Sequence, residues 1–276
     1  MRFARKRCGL TLQYVKRRRN ADYIHGKKLP GSLQRRRYQN MTTLVLLPGM
    51  DGTGDLFQPF LSALSPQFNP TVVRYPSSIP LGYENLIGLV REELPRQDEF
   101  FLLGESFSGP LAVSLAAQAP SNLRGLILCA SFIRCPLPWA VMWKPLAHLL
   151  PIGVVPAGIL SLPLLGRFGT SQSRRLLADA LAKVHADVLR ARLRAVMTVD
   201  VHEKVAAIKV PFLYLQASAD WVVPKSASEM IQQAAPALQV VELEGPHMLL
   251  QLSPTTAAQA VETFVNSVLL REQHGE

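Results

Sequence analysis

The sequence predicts an α/β fold: a three-layer sandwich with a mostly parallel sheet and an inserted helical cap. Three observations carry this expectation. From residue 41 onward, apolar runs of four to six residues alternate with helical patterns, as strands covered on both faces by crossover helices do. One interval of about eighty residues, between Ala130 and Pro211, has no strand pattern. A small-residue turn carrying a serine lies directly between an apolar run and a helix.

The elements follow in order. Thr43–Leu47 (TLVLL) is a continuous apolar strand, followed by the glycine-rich loop PGMDGTGD and a helical pattern over Leu56–Leu64. Thr71–Tyr75 is the next strand, and Tyr83–Leu94 is a helix stopped by Pro95. Phe100–Leu103 is a strand, Pro110–Gln118 a helix of small residues, and Gly125–Ala130 a strand. After the interruption come the strand Pro211–Gln216 and the helix Pro224–Ala235, with Pro224 in its first turn. The strand Leu238–Leu243 and a long amphipathic helix over Thr255–Leu270 complete the pattern.

The chain therefore divides into a basic segment, 1–40, a core from 41–131 and 206–276, and a cap insertion, 132–205. Insertions of this kind sit on loops at the carboxyl edge of a sheet, where ligands bind. Within the cap, Pro145–Gly166 runs 22 residues without Asp, Glu, Lys or Arg. That length suits a bilayer, but Pro145, Pro151, Pro156 and Pro163 would break a spanning helix. The expectation is a greasy lid over an apolar substrate, with shallow membrane contact as the lesser alternative.

Charge is uneven. The net charge is +10. Residues 1–40 hold thirteen Lys and Arg against the single acid Asp22, and the remainder is slightly acidic. The basic segment has no apolar run of the kind a secretory signal needs. It reads as a disordered tail or an upstream stretch before a start at Met41, with targeting or surface binding as alternatives. No aromatic interleaving supports a nucleic-acid partner. Three cysteines, Cys8, Cys129 and Cys135, without framework spacing point to a reducing, cytoplasmic setting. No Cys/His cluster has zinc-like spacing, and no metal or cofactor is expected.

Four stretches carry the chemistry. Gly104-Glu105-Ser106-Phe107-Ser108-Gly109 follows a strand and opens a helix, the context of a strained turn that exposes a nucleophilic serine. The pattern departs from G-x-S-x-G, with Ser108 at the second glycine position and Gly109 one residue later. The alternative is a plain turn in which Ser106 or Ser108 caps the helix. PGMDGTG, after the first strand, lacks the lysine of a phosphate-binding loop and the spacing of a dinucleotide loop. Its Met50 N–H and the Phe107 N–H are the candidate donors to an oxyanion. Asp220 lies just past an apolar strand, and His247 follows the last strand in a Gly-Pro loop. Ser106, Asp220 and His247 then stand in the order nucleophile, acid, base. His247 would take the serine proton and Asp220 would hold the imidazole. Glu105, beside the nucleophile, has no assigned part.

The combination PGMDGTG…GESFSG…SADWVVP…GPHMLL over residues 41–270 resembles the α/β-hydrolase superfamily. PGMDGTG with GESFSG is similar to the group containing plant phytyl ester synthases and related bacterial esterases. The resemblance implies an esterase or thioesterase acting on apolar acyl groups through an acyl-enzyme. Acyl transfer to an alcohol and a non-enzymatic ligand-binding member of the fold are the alternatives. Many superfamily members place a β-hairpin before the first of these strands; residues 1–40 lack strand alternation, so none is expected here.

Overall fold

The computed structural model describes residues 41–136 and 157–274, together with two-residue strands at Tyr23–Ile24 and Lys27–Lys28. Six strands form the central sheet: β1 (Thr42–Leu47), β2 (Phe68–Val72), β3 (Phe100–Glu105), β4 (Leu123–Cys129), β5 (Phe212–Ala217) and β6 (Gln239–Leu243). Their order is β2-β1-β3-β4-β5-β6, and every neighbouring pair is parallel.

The four inner strands, β1, β3, β4 and β5, read as largely apolar runs because both their faces are covered. In β1, Leu44 and Leu46 point to one layer, with Phe60 of α1 (Gln58–Ala63) and Val261 and Phe264 of α10 (Pro254–His274). Val45 and Leu47 point to the other, with Leu86 of α2 (Tyr83–Glu93), Leu111 of α3 (Gly109–Ala116) and Ile231 of α8 (Lys225–Ala234). The strand period of two thus sorts alternate side chains into two cores. α9 (Leu249–Leu252) precedes α10.

Between β4 and β5 lie α4 (Ala157–Leu165), α5 (Ser171–Ala182), α6 (Ala186–Thr198) and α7 (His202–Val205). A reciprocal capping box between Thr170 and Ser173 starts α5. The two sides of the stretch between β4 and β5 are tied together: Val201 N–H donates to the Ile133 carbonyl at 2.9 Å, and Arg134 pairs with Asp200 at 2.8 Å. Chain leaving the sheet after β4 therefore returns beside its point of departure.

Three sequence expectations shift. β2 is Phe68–Val72 rather than Thr71–Tyr75. Pro70 pairs with Leu44 inside the strand. β2 is an edge strand, where a missing N–H is tolerated. Pro224 is the N-cap of α8, with extended backbone, rather than part of its first turn. Residues 1–40, expected to lack strands, contain the antiparallel pair Tyr23–Ile24 with Lys27–Lys28, which forms a sheet of its own. The rest of that segment, and Pro145–Pro156 of the apolar stretch, lie outside the described residues. No described helix is long and apolar enough to cross a membrane.

Candidate active site

The carboxyl ends of β3, β5 and β6 bring the three residues of the expected triad together. β3 ends at Glu105, and Ser106 enters a single 3-10 turn, Ser106–Ser108, that leads into α3. Ser106 has φ 48°, a left-handed conformation that a non-glycine residue adopts only when its surroundings hold it there. Its carbonyl accepts a hydrogen bond from the Ser131 hydroxyl at 2.5 Å. The turn is tight at two glycines. A Cβ on Gly104 would lie 2.8 Å from both Ala112 Cβ and the Ser108 carbonyl oxygen. One on Gly109 would lie 1.8 Å from Ser131 Oγ.

Ser106 Oγ lies 2.7 Å from His247 Nε2. On the other side of the ring, Nδ1 lies 2.8 Å from Asp220 Oδ2 and 3.0 Å from Oδ1. A ring that donates Nδ1–H to the carboxylate leaves Nε2 free to accept the serine hydroxyl. Asp220 Oδ1 also accepts the backbone N–H groups of Val222 and Val223, each at 2.8 Å. Those bonds fix the carboxylate in the loop after β5. His247 and Asp220 side chains are both only 5% exposed, so water screens their interaction little.

Met50 and Phe107, the expected oxyanion donors, line one cavity with Ser106 and His247. Phe107 is held from outside. Tyr83 donates its hydroxyl to the Phe107 carbonyl at 2.9 Å and stacks on its ring at 4.7 Å between centroids. The loop carrying Met50 is held by Arg192 of α6, a residue that sequence reasoning passed over. Arg192 Nη1 donates to the carbonyls of Met50 (2.9 Å) and Asp51 (2.8 Å), and Nη2 to that of Pro76 (2.9 Å). It is 1% exposed and packs over the Tyr75 ring. Desolvation is the largest effect on its guanidinium and lowers its pKa. Gly52, with φ +68°, leaves the room: a Cβ there would meet Arg192 Nη1 at 2.6 Å. One signal marks it: Arg192 stands four residues after Val188 and three after Leu189, a charge on the buried stripe of α6, whereas Arg190 and Arg194 fall on the other face.

The departure at Ser108 also has its reason. The side chain is fully buried; its hydroxyl bonds the Tyr75 hydroxyl at 2.6 Å and donates to the Pro48 carbonyl. The turn and the Met50 loop are thereby joined by a side chain that glycine lacks. Glu105 is buried, and Gln251 donates to its Oε1 at 2.8 Å. Burial, the largest effect, pushes its carboxyl up to about 7, and the nearby Asp51 charge adds to the rise.

The cavity measures about 210 Å³. Leu177, Leu193 and Met197 of the insertion, with Leu56 and Met248 of the core, form apolar walls around the serine.

Six parallel strands, flanking helices and a serine on a strained turn after the third strand define an α/β hydrolase. A family model described as serine aminopeptidase, S33, matches residues 82–250, more than half of the chain, and the chain belongs to that family of hydrolases. The chain is 36% identical to phytyl ester synthase 1, chloroplastic, of Arabidopsis thaliana over 109 residues, 36% of this chain and 15% of that protein. It thus spans a small part of the plant protein's length. It is 26% identical over 219 residues, 72% of this chain and 82% of the relative, to RutD of Klebsiella pneumoniae subsp. pneumoniae, a provisionally assigned carbamate hydrolase. The enol-lactonase of Burkholderia xenovorans LB400 superposes with TM-score 0.73 at 18% identity, covering 83% of this chain and 93% of that one. That likeness is one of fold.

Proposed function

We propose that this hydrolase cleaves carboxylic esters, or thioesters, of apolar acyl groups through an acyl-enzyme on Ser106. The observation that carries the reading is the continuous hydrogen-bond chain Ser106–His247–Asp220 at the floor of an apolar cavity. As Ser106 Oγ attacks the acyl carbonyl, His247 Nε2 takes its proton. Asp220 keeps the ring oriented and stabilises the imidazolium. The Met50 and Phe107 N–H groups receive the oxyanion, each worth about 3–4 kcal/mol where such donors have been removed. His247 returns the proton to the leaving group; water, activated by the same base, releases the acid. The residues between β4 and β5 act as a cap, and their leucines favour an acyl chain over a charged group.

The plant relative's name offers a second reading, in which an alcohol replaces water as acceptor. The same residues would serve, with water excluded while the acyl-enzyme waits.

Turnover of p-nitrophenyl esters of increasing acyl length, with wild type and Ser106→Ala in parallel, tests both. The expected result is activity with a defined length optimum that falls by at least about a thousandfold in the variant. Equal turnover in both would remove Ser106 from its role. Faster ester formation than hydrolysis when an alcohol is added would favour the transferase.

A further inference from the structure

The triad leaves Glu105, a buried ionisable group of the site, without a part. Glu105 directly precedes Ser106, is 5% exposed and lines the cavity. It touches three segments. It closes β3; the Gly49 amide of the Met50 loop favours its charged form; and Gln251, four residues after His247, donates to its Oε1 at 2.8 Å. Among the described residues no Lys or Arg forms an ion pair with it. The charged or titratable groups that face it are Asp51, which opposes its charge, His247, which favours it, and the Cys129 thiol of β4, which it pushes up.

A buried carboxylate with amide donors and no fixed cation is costly to leave charged. The reaction supplies a cation beside it, because His247 becomes imidazolium each time Ser106 gives up its proton. We propose that Glu105 is a positioning residue for the reaction, its carboxylate aimed by Gln251 and Gly49 so that its negative charge stabilises the His247 imidazolium. Asp220 holds the ring at Nδ1; Glu105 acts on the same ring through space from the nucleophile's own strand. Gln251 would then be the donor that keeps Glu105 able to ionise. The proposal rests on Ser106 being the nucleophile.

Shape and charge separate in Glu105→Gln, which fills the same volume and still accepts from Gln251. The probe is a fluorophosphonate, which needs no knowledge of the substrate. An Oγ–P bond forms, the P–F bond breaks, fluoride leaves, and His247 takes the serine proton. The labelling rate of the full chain is followed from pH 5 to 9 for wild type, Ser106→Ala, Glu105→Gln and Gln251→Leu. The acid-side midpoint of the wild-type profile is the reference. Expected for Glu105→Gln is a plateau roughly three- to tenfold lower and a midpoint displaced to acid by about half a unit or more. Gln251→Leu is expected to move both in the same direction by less. If Glu105→Gln gives no cooperative melt, Gln251→Leu carries the test alone.

A profile that superimposes on wild type, or a uniformly slower one with an unmoved midpoint, overturns the role of the charge. Labelling of Ser106→Ala at the wild-type rate overturns the nucleophile assignment, and this proposal with it. The first failure leaves Ser106→Ala silent, so the two are distinguishable.

Discussion

The hydroxyl of Ser108 does two things for which glycine has no atom: it donates to the Pro48 carbonyl and bonds the Tyr75 hydroxyl. Reverting the motif to its commoner form by Ser108→Gly therefore leaves a buried carbonyl and a buried phenol each short of a partner. The expected loss is about 1–3 kcal/mol, read from the midpoint of urea unfolding. An unmoved midpoint would mean that the bonds contribute nothing net. The crowding that demands glycine has moved one place along, to Gly109 against Ser131. Ser106, Asp220 and His247 were legible because each lies in a loop just after an apolar run, in an order that one fold uses repeatedly. Tyr75, Ser131 and Gln251 were not. Their roles come from meetings across the fold, such as Ser131 with the Ser106 carbonyl, that no local pattern announces.

At the scale of elements, strands were read better than their limits. β1, β3, β4 and β5 fell within two residues of expectation because a strand buried on both faces is a largely apolar run between polar turns, and the half-exposed edge strand β6 fell within one. β2 slipped because its first residues, Phe68-Asn69-Pro70, look like a turn, and only its place at the sheet's edge makes them a strand. The element that matters most to the site is α6. Its Arg192 satisfies three carbonyls, two of them in the loop that carries Met50. Arg192→Leu, similar in apolar bulk, leaves all three without that donor. Expected are a loss of about 2–4 kcal/mol in stability and at least a tenfold fall in ester turnover, since the Met50 N–H is no longer held. Arg192→Lys, a point charge that cannot span three acceptors, should fall between. Melting and turnover that match wild type would show that the loop holds itself.

For the molecule as a whole, Glu105 links stability to pH. Its folded carboxyl lies at about 7, against 4.5 for an ordinary one. Between those values the folded chain holds a proton that the unfolded chain has released, so stability falls as pH rises through this window. The full effect is on the order of 3 kcal/mol. Glu105→Gln removes it: the melting temperatures of variant and wild type should agree near pH 4.5. By pH 8 the variant should melt several degrees higher. A constant difference across that range would mean that the carboxyl is not strained by burial. With the labelling experiment, this sets a loss of rate against a gain in stability at a single atom pair. The sequence has one long interruption of its strand pattern, between β4 and β5, and the structure fastens the two sides of that stretch together through Ile133–Val201 and Arg134–Asp200.

That fastening invites exchange of the whole insertion between relatives as a cassette. Arg192 argues otherwise. The guanidinium and the Met50 carbonyl it grips stand 142 positions apart in the chain. A chimera that took a foreign insertion at the 133–201 seam would keep every triad residue and lose the clasp on its own loop. Modularity in this enzyme stops at one side chain. A graft that carries an arginine in register with Gly52 should inherit function; one that does not should inherit only the fold.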